Sequence, residues 1–251
     1  MRTLASYNIK GGVGKTSTAV NMAALAAKDG LRTLVWDLDP QGAATFLLGV
    51  KPRVKGGSAA LVSGKRSLDD AIKSSDHDSL DVLPADFSYR NLDLQLEDAK
   101  RPTQQVRRLI EPLGHDYDLI VLDCPPSISM VSENVFAAAD LLLVPVLPTP
   151  LSLRPLEQLT EFVVAMDKPR PTVRAYFSMV DRRKRLHLDV VGAAPARGQT
   201  FMQTSVPVDS VIERMGVTRR PVVSSHPSSR AALAYRMLWR ECAALLWPEK
   251  A

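Results

Sequence analysis

The chain has 251 residues, 45% of them hydrophobic, and carries a net charge of +5 at pH 7. This length allows a full hydrophobic core, and the only two cysteines, Cys124 and Cys242, have the spacing of neither a disulfide framework nor a zinc site. The best candidate for a membrane span, residues 135–147, contains Asp140 and Pro145, and no secretory signal is recognisable. We therefore expect a soluble, reduced, cytoplasmic protein without stable membrane insertion.

The charge is unevenly distributed along the chain. From Asp167 to the C-terminus there are 15 Lys or Arg residues against 7 Asp or Glu, whereas the preceding part has 17 against 20. A basic C-terminal part indicates a polyanionic partner, and a solvated basic surface is the alternative interpretation.

Short apolar segments alternate with helical patterns along the chain, which predicts an α/β fold with a mainly parallel twisted sheet covered by helices on both faces. We expect a single domain over residues 1–251, with the Gly/Ser/Lys-rich piece 51–65 as a mobile loop. The predicted strands are 2–8, 31–37, 80–83, 119–123, 141–146 and 173–180. The predicted helices are 16–28, 87–98, 104–113, 132–139, 153–166 and 228–246.

The segment NIKGGVGKTSTAV, residues 8–20, joins the first predicted strand to the first predicted helix. A strand, a glycine-rich turn and a helix aim backbone N–H groups at one point, which is typical of a phosphate-binding loop of the NTPase type. We expect Lys15 to reach the β- and γ-phosphates and Thr16 to ligate Mg²⁺. Ile9 replaces the first glycine of the general pattern, and Lys10 is an additional lysine. The predicted loop residues are Gly11, Gly12, Val13, Gly14, Lys15, Thr16 and Ser17.

Two acidic segments follow at the ends of later strands. LIVLDCPPS places Asp123 at the carboxyl end of a buried strand, where ligands of open α/β sheets bind. DLDPQG places Asp37 and Asp39 at the end of the second strand. We expect Asp123 and Asp37 to support the metal shell and Asp39 to position the attacking water.

Together, KGGVGKTS, DLDPQG and LDCPPS resemble the motifs of the ParA/MinD family of deviant Walker ATPases. The resemblance covers nearly the whole chain and is nearest to the short, Soj-like ParA proteins without an N-terminal helix-turn-helix. It implies ATP and Mg²⁺ as ligands and slow, partner-stimulated hydrolysis. It also implies an ATP-sandwich homodimer in which Lys10 reaches the nucleotide of the other subunit and takes part in catalysis with Lys15 and Asp39.

The sequence departs from the family pattern at two places. Ala43 follows DLDPQG where the family often has Asn, and Pro207-Val208-Asp209 stands where a Pro-x-Asn near the adenine is common. Pro207 and Asp209 are therefore the candidate residues at the adenine.

The resemblance leaves three functions open. The first is a partitioning ATPase that binds DNA non-specifically as the ATP dimer, associates with the nucleoid and positions a plasmid, a chromosome or a protein organelle through a ParB-like or cargo adaptor. The second is a MinD-like membrane-associated ATPase, although we expect the apolar and basic C-terminal segment to be a core helix. The third is an ATP-dependent metabolic synthetase. The candidate DNA-binding residues are Arg182, Arg183, Arg185, Arg214, Arg219 and Arg220.

Overall fold

The computed structural model describes residues 1–166, 170–194, 198 and 200–248. Seven strands form one sheet in the order β3-β4-β2-β5-β1-β6-β7, and every neighbouring pair is parallel except β3 and β4. The strands are β1 (Arg2–Ser6), β2 (Thr33–Asp37), β3 (Lys73–Ser74), β4 (Leu80–Leu83), β5 (Leu119–Asp123), β6 (Leu141–Val146) and β7 (Thr172–Phe177).

Helices cover both faces of this sheet, because the central strands are apolar on both sides. In β5, Val121 belongs to the core beneath α1, α11 and α12, while Ile120 and Leu122 belong to the opposite core beneath α3 to α7. The helices are α1 (Lys15–Lys28), α2 (Ala43–Leu47), α3 (Gly57–Val62), α4 (Leu92–Glu97), α5 (Gln105–Ile110), α6 (Met130–Ala138), α7 (Pro150–Ala165), α8 (Arg185–Gly192), α9 (Ser210–Glu213), α10 (Met215–Thr218), α11 (Val222–Ser225) and α12 (Arg230–Leu246).

The predicted α/β class and the six predicted strands are confirmed, with small shifts of their ends. The helices predicted at 87–98 and 104–113 are shorter, because 3₁₀ turns occupy Phe87–Asn91, Pro102–Gln104 and Glu111–His115. The short strand β3 and the short helices α2 and α9 to α11 were not predicted.

The expectation of a mobile loop at 51–65 is wrong, because this piece contains α3. Leu61 of this helix is buried in the core. The backbone N–H of Ser58 donates to Ser88 Oγ (2.8 Å), and that of Val54 donates to Asp86 Oδ2 (2.9 Å). The turn at 86–88 therefore fixes a segment whose composition is typical of a loop.

The C-terminal helix α12 is a core helix, as expected. Leu238 and Cys242 are fully buried, and the indole N–H of Trp239 donates to Asp29 Oδ2 (2.7 Å) at the end of α1. The opposite side of α12 exposes Leu233 and Met237. No helix in the described part of the chain is long and apolar enough to cross a bilayer.

Candidate functional site

The glycine loop between β1 and α1 has the backbone shape that phosphate binding requires. Gly12 (φ 70°) and Gly14 (φ 96°) adopt left-handed conformations that are costly for residues with a Cβ. A Cβ built on Gly11 or Gly12 would meet no other atom within 4 Å. The glycines therefore leave open space over the loop, where a phosphate group can approach the backbone closely.

Hydroxyl groups of neighbouring elements hold the loop by donating hydrogen bonds to its carbonyl groups. Ser6, the last residue of β1, donates to the carbonyl of Lys15 (2.8 Å), and Ser178, just after β7, donates to the carbonyl of Val13 (2.7 Å). Thr18 in α1 donates to the carbonyl of Gly14 (2.7 Å). Because these carbonyls are held by the strand ends and by α1, the conformation of the loop is set before any ligand binds.

The two lysines of the loop point to different places. Lys15 is only 7% exposed, and its Nζ donates across the loop to the carbonyl of Lys10 (2.8 Å). Lys10 itself extends outwards, and its Nζ donates to the carbonyl of Leu151 at the start of α7 (2.9 Å). Lys15 is thus placed for a ligand inside the loop, whereas Lys10 lies at the surface beside it.

The predicted acidic residues meet at the carboxyl edge of the sheet. Asp37 is paired in register with Asp123 on the neighbouring parallel strand, and Asp123 is paired with Ser6 on its other side. Both carboxylates are fully buried. The structure therefore brings together the ends of β2, β5 and β1, and the two carboxylates that the sequence assigns to one metal shell lie side by side.

Hydrogen bonding distinguishes the two buried carboxylates. Asp37 Oδ2 accepts from the backbone N–H (2.8 Å) and the hydroxyl (2.7 Å) of Thr45 in α2. Neither oxygen of Asp123 has a hydrogen-bond partner of good geometry among the described residues. A buried carboxylate with no well-formed hydrogen bond is costly, so Asp123 is suited to a cation or to the water that a cation holds.

Burial raises the pKa values of both carboxyl groups. It raises the pKa of Asp37 to about 6, although the hydrogen bonds from Thr45 act to lower it. It raises the pKa of Asp123 well above its usual value, and the neighbouring Asp37 adds to this, whereas the Thr16 hydroxyl and Lys15 oppose it. Burial lowers the pKa of Lys15, and the neighbouring Asp123 acts in the opposite direction and raises it. Ionising both carboxyl groups is therefore unfavourable in this site, and Lys15 offsets that cost only in part.

Asp39 and Thr16 are the more accessible members of the predicted set. Both side chains are half-buried, and Asp39 Oδ1 accepts only from the backbone N–H of Gln41 (2.9 Å) among the described contacts. Thr16 and Ser17 open α1 directly after Lys15. Thr16, Ser17 and Asp39 are thus partly exposed at the loop, where a phosphate group can approach.

The predicted adenine residues, Pro207 and Asp209, lie on a segment that pairs with the residues just after β7. Val180 and Pro207 form a β-bridge, and Met179, with φ 54°, lies 3.8 Å from the Cβ position of Gly14. Pro207 lines a cleft of about 700 Å³. The carboxylate of Asp209 instead accepts from the backbone N–H of Val211 (3.3 Å) and caps α9.

The candidate DNA-binding arginines are all exposed, but they differ in their contacts. Arg183 pairs with Asp181 (2.9 Å), and Arg185 pairs with Asp189 (2.9 Å). Arg219 donates to the carbonyl of Phe46 (3.1 Å) and stacks on that ring, 4.7 Å from its centroid. The other three have no ion pair among the described residues: Arg182, Arg214 and Arg220.

Comparison with known proteins identifies the family. A family model described as an AAA domain matches residues 1–173. The sporulation initiation inhibitor protein Soj of Bacillus subtilis is 31% identical over 97% of this chain and 98% of its own length. A ParA family protein of Chlamydia muridarum is 27% identical over 98% of this chain and 99% of its own. The chain belongs to the ParA/MinD family of ATPases.

A solved structure extends this comparison to three dimensions. Cobyrinic acid a,c-diamide synthase of Mycobacterium smegmatis, crystallised with an ATP analogue and magnesium, superimposes with a TM-score of 0.82 at 26% identity. The match covers 100% of this chain and 96% of the synthase chain. The ParA/MinD fold of this protein therefore occurs also in a protein named for a different activity.

Several residues that shape the site were not predicted from the sequence. Ser6, Ser178 and Thr45 support the loop or Asp37, and each is a small hydroxyl residue without a motif of its own. The first two share one recognisable signal, since they stand at the carboxyl ends of apolar strands. Thr45 belongs to a helix that the sequence pattern did not predict.

The raised pKa of Asp37 gives a testable dependence of stability on pH. Without metal or nucleotide, the folded state holds a proton on Asp37 up to about pH 6, whereas the unfolded chain releases it near pH 4. Ionised Asp37 therefore destabilises the fold as pH rises through this window. We expect Asp37→Asn to gain stability relative to wild type between pH 4 and pH 7, by an amount on the order of 2 kcal/mol.

Urea unfolding in EDTA at several pH values measures this difference. Asp78→Asn, which changes an exposed carboxylate in the turn before β4, is the matched control and should keep the wild-type profile. Parallel profiles for Asp37→Asn and wild type would show that Asp37 is not a destabilising buried charge.

Proposed function

We propose that this protein is a ParA-type ATPase that forms an ATP-bound homodimer, binds DNA without sequence preference and positions a cargo. The observation that carries the proposal is the adjacent buried pair Asp37 and Asp123 beneath a glycine loop with two lysines in different positions. The Soj and ParA family relatives support the same activity over nearly the full chain.

The chain's own residues suit the binding of a nucleoside triphosphate. The backbone N–H groups of Gly11 to Ser17 and the N-terminus of α1 face the phosphate position. Lys15 needs only to leave the carbonyl of Lys10 to pair with phosphate oxygens. Asp39 is the accessible carboxylate that would orient the attacking water, and the base would lie beside Pro207, with Asp209 also near it.

The residues present also fit Mg²⁺. Asp123 and Asp37 offer the hard oxygen ligands or water acceptors that this ion prefers, and the Thr16 hydroxyl lies at the start of α1. When bound, Mg²⁺ would supply positive charge that offsets both the phosphates and the buried carboxylates. The unpaired oxygens of Asp123 are the specific feature that supports this assignment.

The surface around Lys10 suits contact with a second subunit. Leu151, whose carbonyl accepts from Lys10, is 82% exposed. An exposed apolar side chain beside a cation favours an interface whose closure depends on a negatively charged ligand. In the proposed dimer, Lys10 exchanges the Leu151 carbonyl for the nucleotide of the other subunit.

DNA is the proposed matrix because the C-terminal half carries the excess of positive charge. Arg182, Arg214 and Arg220 are exposed and have no ion pair among the described residues, which makes them the strongest candidates for phosphate contacts. Arg183, Arg185 and Arg219 would first have to leave their present partners. Pairing two subunits doubles the number of phosphates that can be neutralised together. A ParB-like or cargo adaptor would then stimulate hydrolysis.

A synthetase is the second candidate, favoured by the likeness to cobyrinic acid a,c-diamide synthase. The additional lysine of the glycine loop, Lys10, and the basic C-terminal half favour the positioning ATPase instead. A synthetase should turn over ATP steadily with its own small-molecule substrate, whereas the proposed switch should be slow until a partner protein binds.

The dimer is tested by light scattering with ATP and Mg²⁺. The mass should rise from that of one chain, 27.5 kDa, towards twice this value when ATP is added, but not with ADP. Lys10→Ala should stay monomeric while still binding ATP, and Lys28→Ala, at the exposed end of α1, should behave as wild type. Asp39→Ala should bind ATP and remain dimeric because hydrolysis is slow. A mass that stays the same with ATP, with ADP and without nucleotide would contradict the proposal.

The DNA proposal is tested with duplex binding over a salt series. The slope of log affinity against log salt should be steeper with ATP than with ADP, at about −0.9 per phosphate contact, and unchanged when the sequence is scrambled. Arg214→Gln with Arg220→Gln should reduce the slope and keep ATP-driven dimerisation. The charge-matched control is Lys51→Gln with Arg53→Gln. Binding to anionic liposomes without binding to DNA would favour the MinD-like alternative.

A further inference from the structure

Two buried tyrosines meet the hydroxyl group of Thr18 next to the glycine loop. Thr18 is fully buried in α1, and its Oγ1 is hydrogen-bonded to the hydroxyl of Tyr176 in β7. Tyr235 of α12 is also buried and lies against the same group: burial raises its pKa, whereas hydrogen bonding with Thr18 acts to lower it. Neither tyrosine belongs to a motif from which the site was predicted. The sheet and the C-terminal helix thus both reach the residue that holds the loop at Gly14.

The hydrogen bonds around Thr18 have a defined direction. The Gly14 carbonyl can only accept, and it accepts from the Thr18 hydroxyl (2.7 Å) and from the Thr18 backbone N–H (3.0 Å). A hydroxyl group has one hydrogen and two lone pairs, so Thr18 Oγ1 acts as the acceptor towards both tyrosines. Tyr176 and Tyr235 therefore donate to Thr18, and Thr18 donates to Gly14. Each donation polarises the next group and strengthens its bond in turn.

The Gly14 carbonyl determines where the N–H of Lys15 points. In a trans peptide unit, the carbonyl and the N–H that follows it point in opposite directions. Because Thr18 holds the Gly14 carbonyl, the Lys15 N–H points away from this support, and it donates to no acceptor among the described residues. The same relation applies to the two neighbouring peptide units, whose carbonyls are held by Ser178 and Ser6. The N–H of Lys15 is thus kept available for a phosphate oxygen.

We propose that Tyr176 and Tyr235 are positioning residues for a nucleoside triphosphate: through Thr18 they hold the Gly14 carbonyl so that the Lys15 N–H faces a phosphate oxygen. The inference rests on nucleotide binding at the glycine loop and adds residues of β7 and α12 that are too deeply buried to touch the nucleotide. Without their hydroxyl groups, Thr18 Oγ1 would have no donor in the core, and its own bond to Gly14 would be weaker. The two tyrosines therefore act on the ligand only through Thr18 and the loop backbone.

Removal of the tyrosine hydroxyls tests this chain of hydrogen bonds. In calorimetric titration with a non-hydrolysable ATP analogue and Mg²⁺, Tyr176→Phe should weaken binding about threefold, because one donor to Thr18 is lost. Tyr176→Phe with Tyr235→Phe removes both donors and should weaken it about tenfold. The matched control is Tyr117→Phe, which removes a hydroxyl that donates to Asp81 Oδ2 (2.8 Å) near the amino end of β5, and it should bind the analogue as wild type does.

Two substitutions of Thr18 separate hydrogen bonding from packing. Thr18→Val keeps the shape of the side chain and removes the hydroxyl, whereas Thr18→Ser keeps the hydroxyl and removes a methyl group. We expect Thr18→Ser to bind the analogue about tenfold more tightly than Thr18→Val. A packing role alone would give the opposite order and would overturn the proposal. This pair also decides the point if Tyr176→Phe does not fold.

The orientation of the loop is also measured in the protein without nucleotide. In ¹⁵N–¹H correlation spectra, Tyr176→Phe should shift the amide resonance of Lys15, and Tyr117→Phe should leave it in place. An unmoved Lys15 resonance in Tyr176→Phe would overturn the inference, as would wild-type affinity for the analogue in both Tyr176→Phe and Thr18→Val; either result would leave nucleotide binding itself intact. Failure of wild type to bind the analogue would instead contradict the nucleotide site on which the inference rests.

Discussion

The buried pair of carboxylates at the ends of β2 and β5 is the constraint on which the rest of the site depends. Asp37 and Asp123 are register partners on adjacent parallel strands, so their like charges cannot separate without breaking the sheet. Thr45 stabilises one of them, and Lys15 offsets part of the charge from the loop above. The remaining demand for positive charge is what a metal ion would satisfy.

This arrangement links the stability of the fold to its ligand. The same strands that supply the hydrophobic core of both layers end in groups that the core tolerates poorly. Hydroxyl groups of Ser6 and Ser178 meanwhile hold the loop carbonyls, so the backbone is already shaped for phosphate. In the proposed complex, binding requires little reorganisation beyond the movement of the Lys15 and Lys10 side chains away from the carbonyls they now contact.

Much of the fold could be predicted because the central strands are continuous apolar runs and their helices are periodic. The order of the strands could not, since nothing in the local pattern of LIVLD or TLVWD states that they lie side by side. That adjacency is what turns Asp37 and Asp123 into one pair. The segment at 51–65 was misjudged because glycine and serine suggested a loop, while its order comes from contacts with Asp86 and Ser88.

The site residues also divide into those that a local sequence pattern predicts and those that depend on contacts between separate segments. The glycine loop was predictable because its chemistry lies within one short segment, in which glycine spacing and the following helix act together. Ser178 acts across a long sequence separation, and Thr45 stands in a helix that was not predicted; neither belongs to a motif. The same reason explains Arg219, which the sequence indicated only as a candidate DNA-binding residue and which the structure places on the ring of Phe46.

Calorimetric titration with a non-hydrolysable ATP analogue, with Mg²⁺ or with EDTA, tests the central claim most directly. If the buried carboxylates need the metal's charge, wild type should bind the analogue at least about tenfold more tightly with Mg²⁺, and Asp123→Asn should lose most of this difference. Equal affinity with and without Mg²⁺ in wild type, or an undiminished effect of Mg²⁺ in Asp123→Asn, would contradict the account.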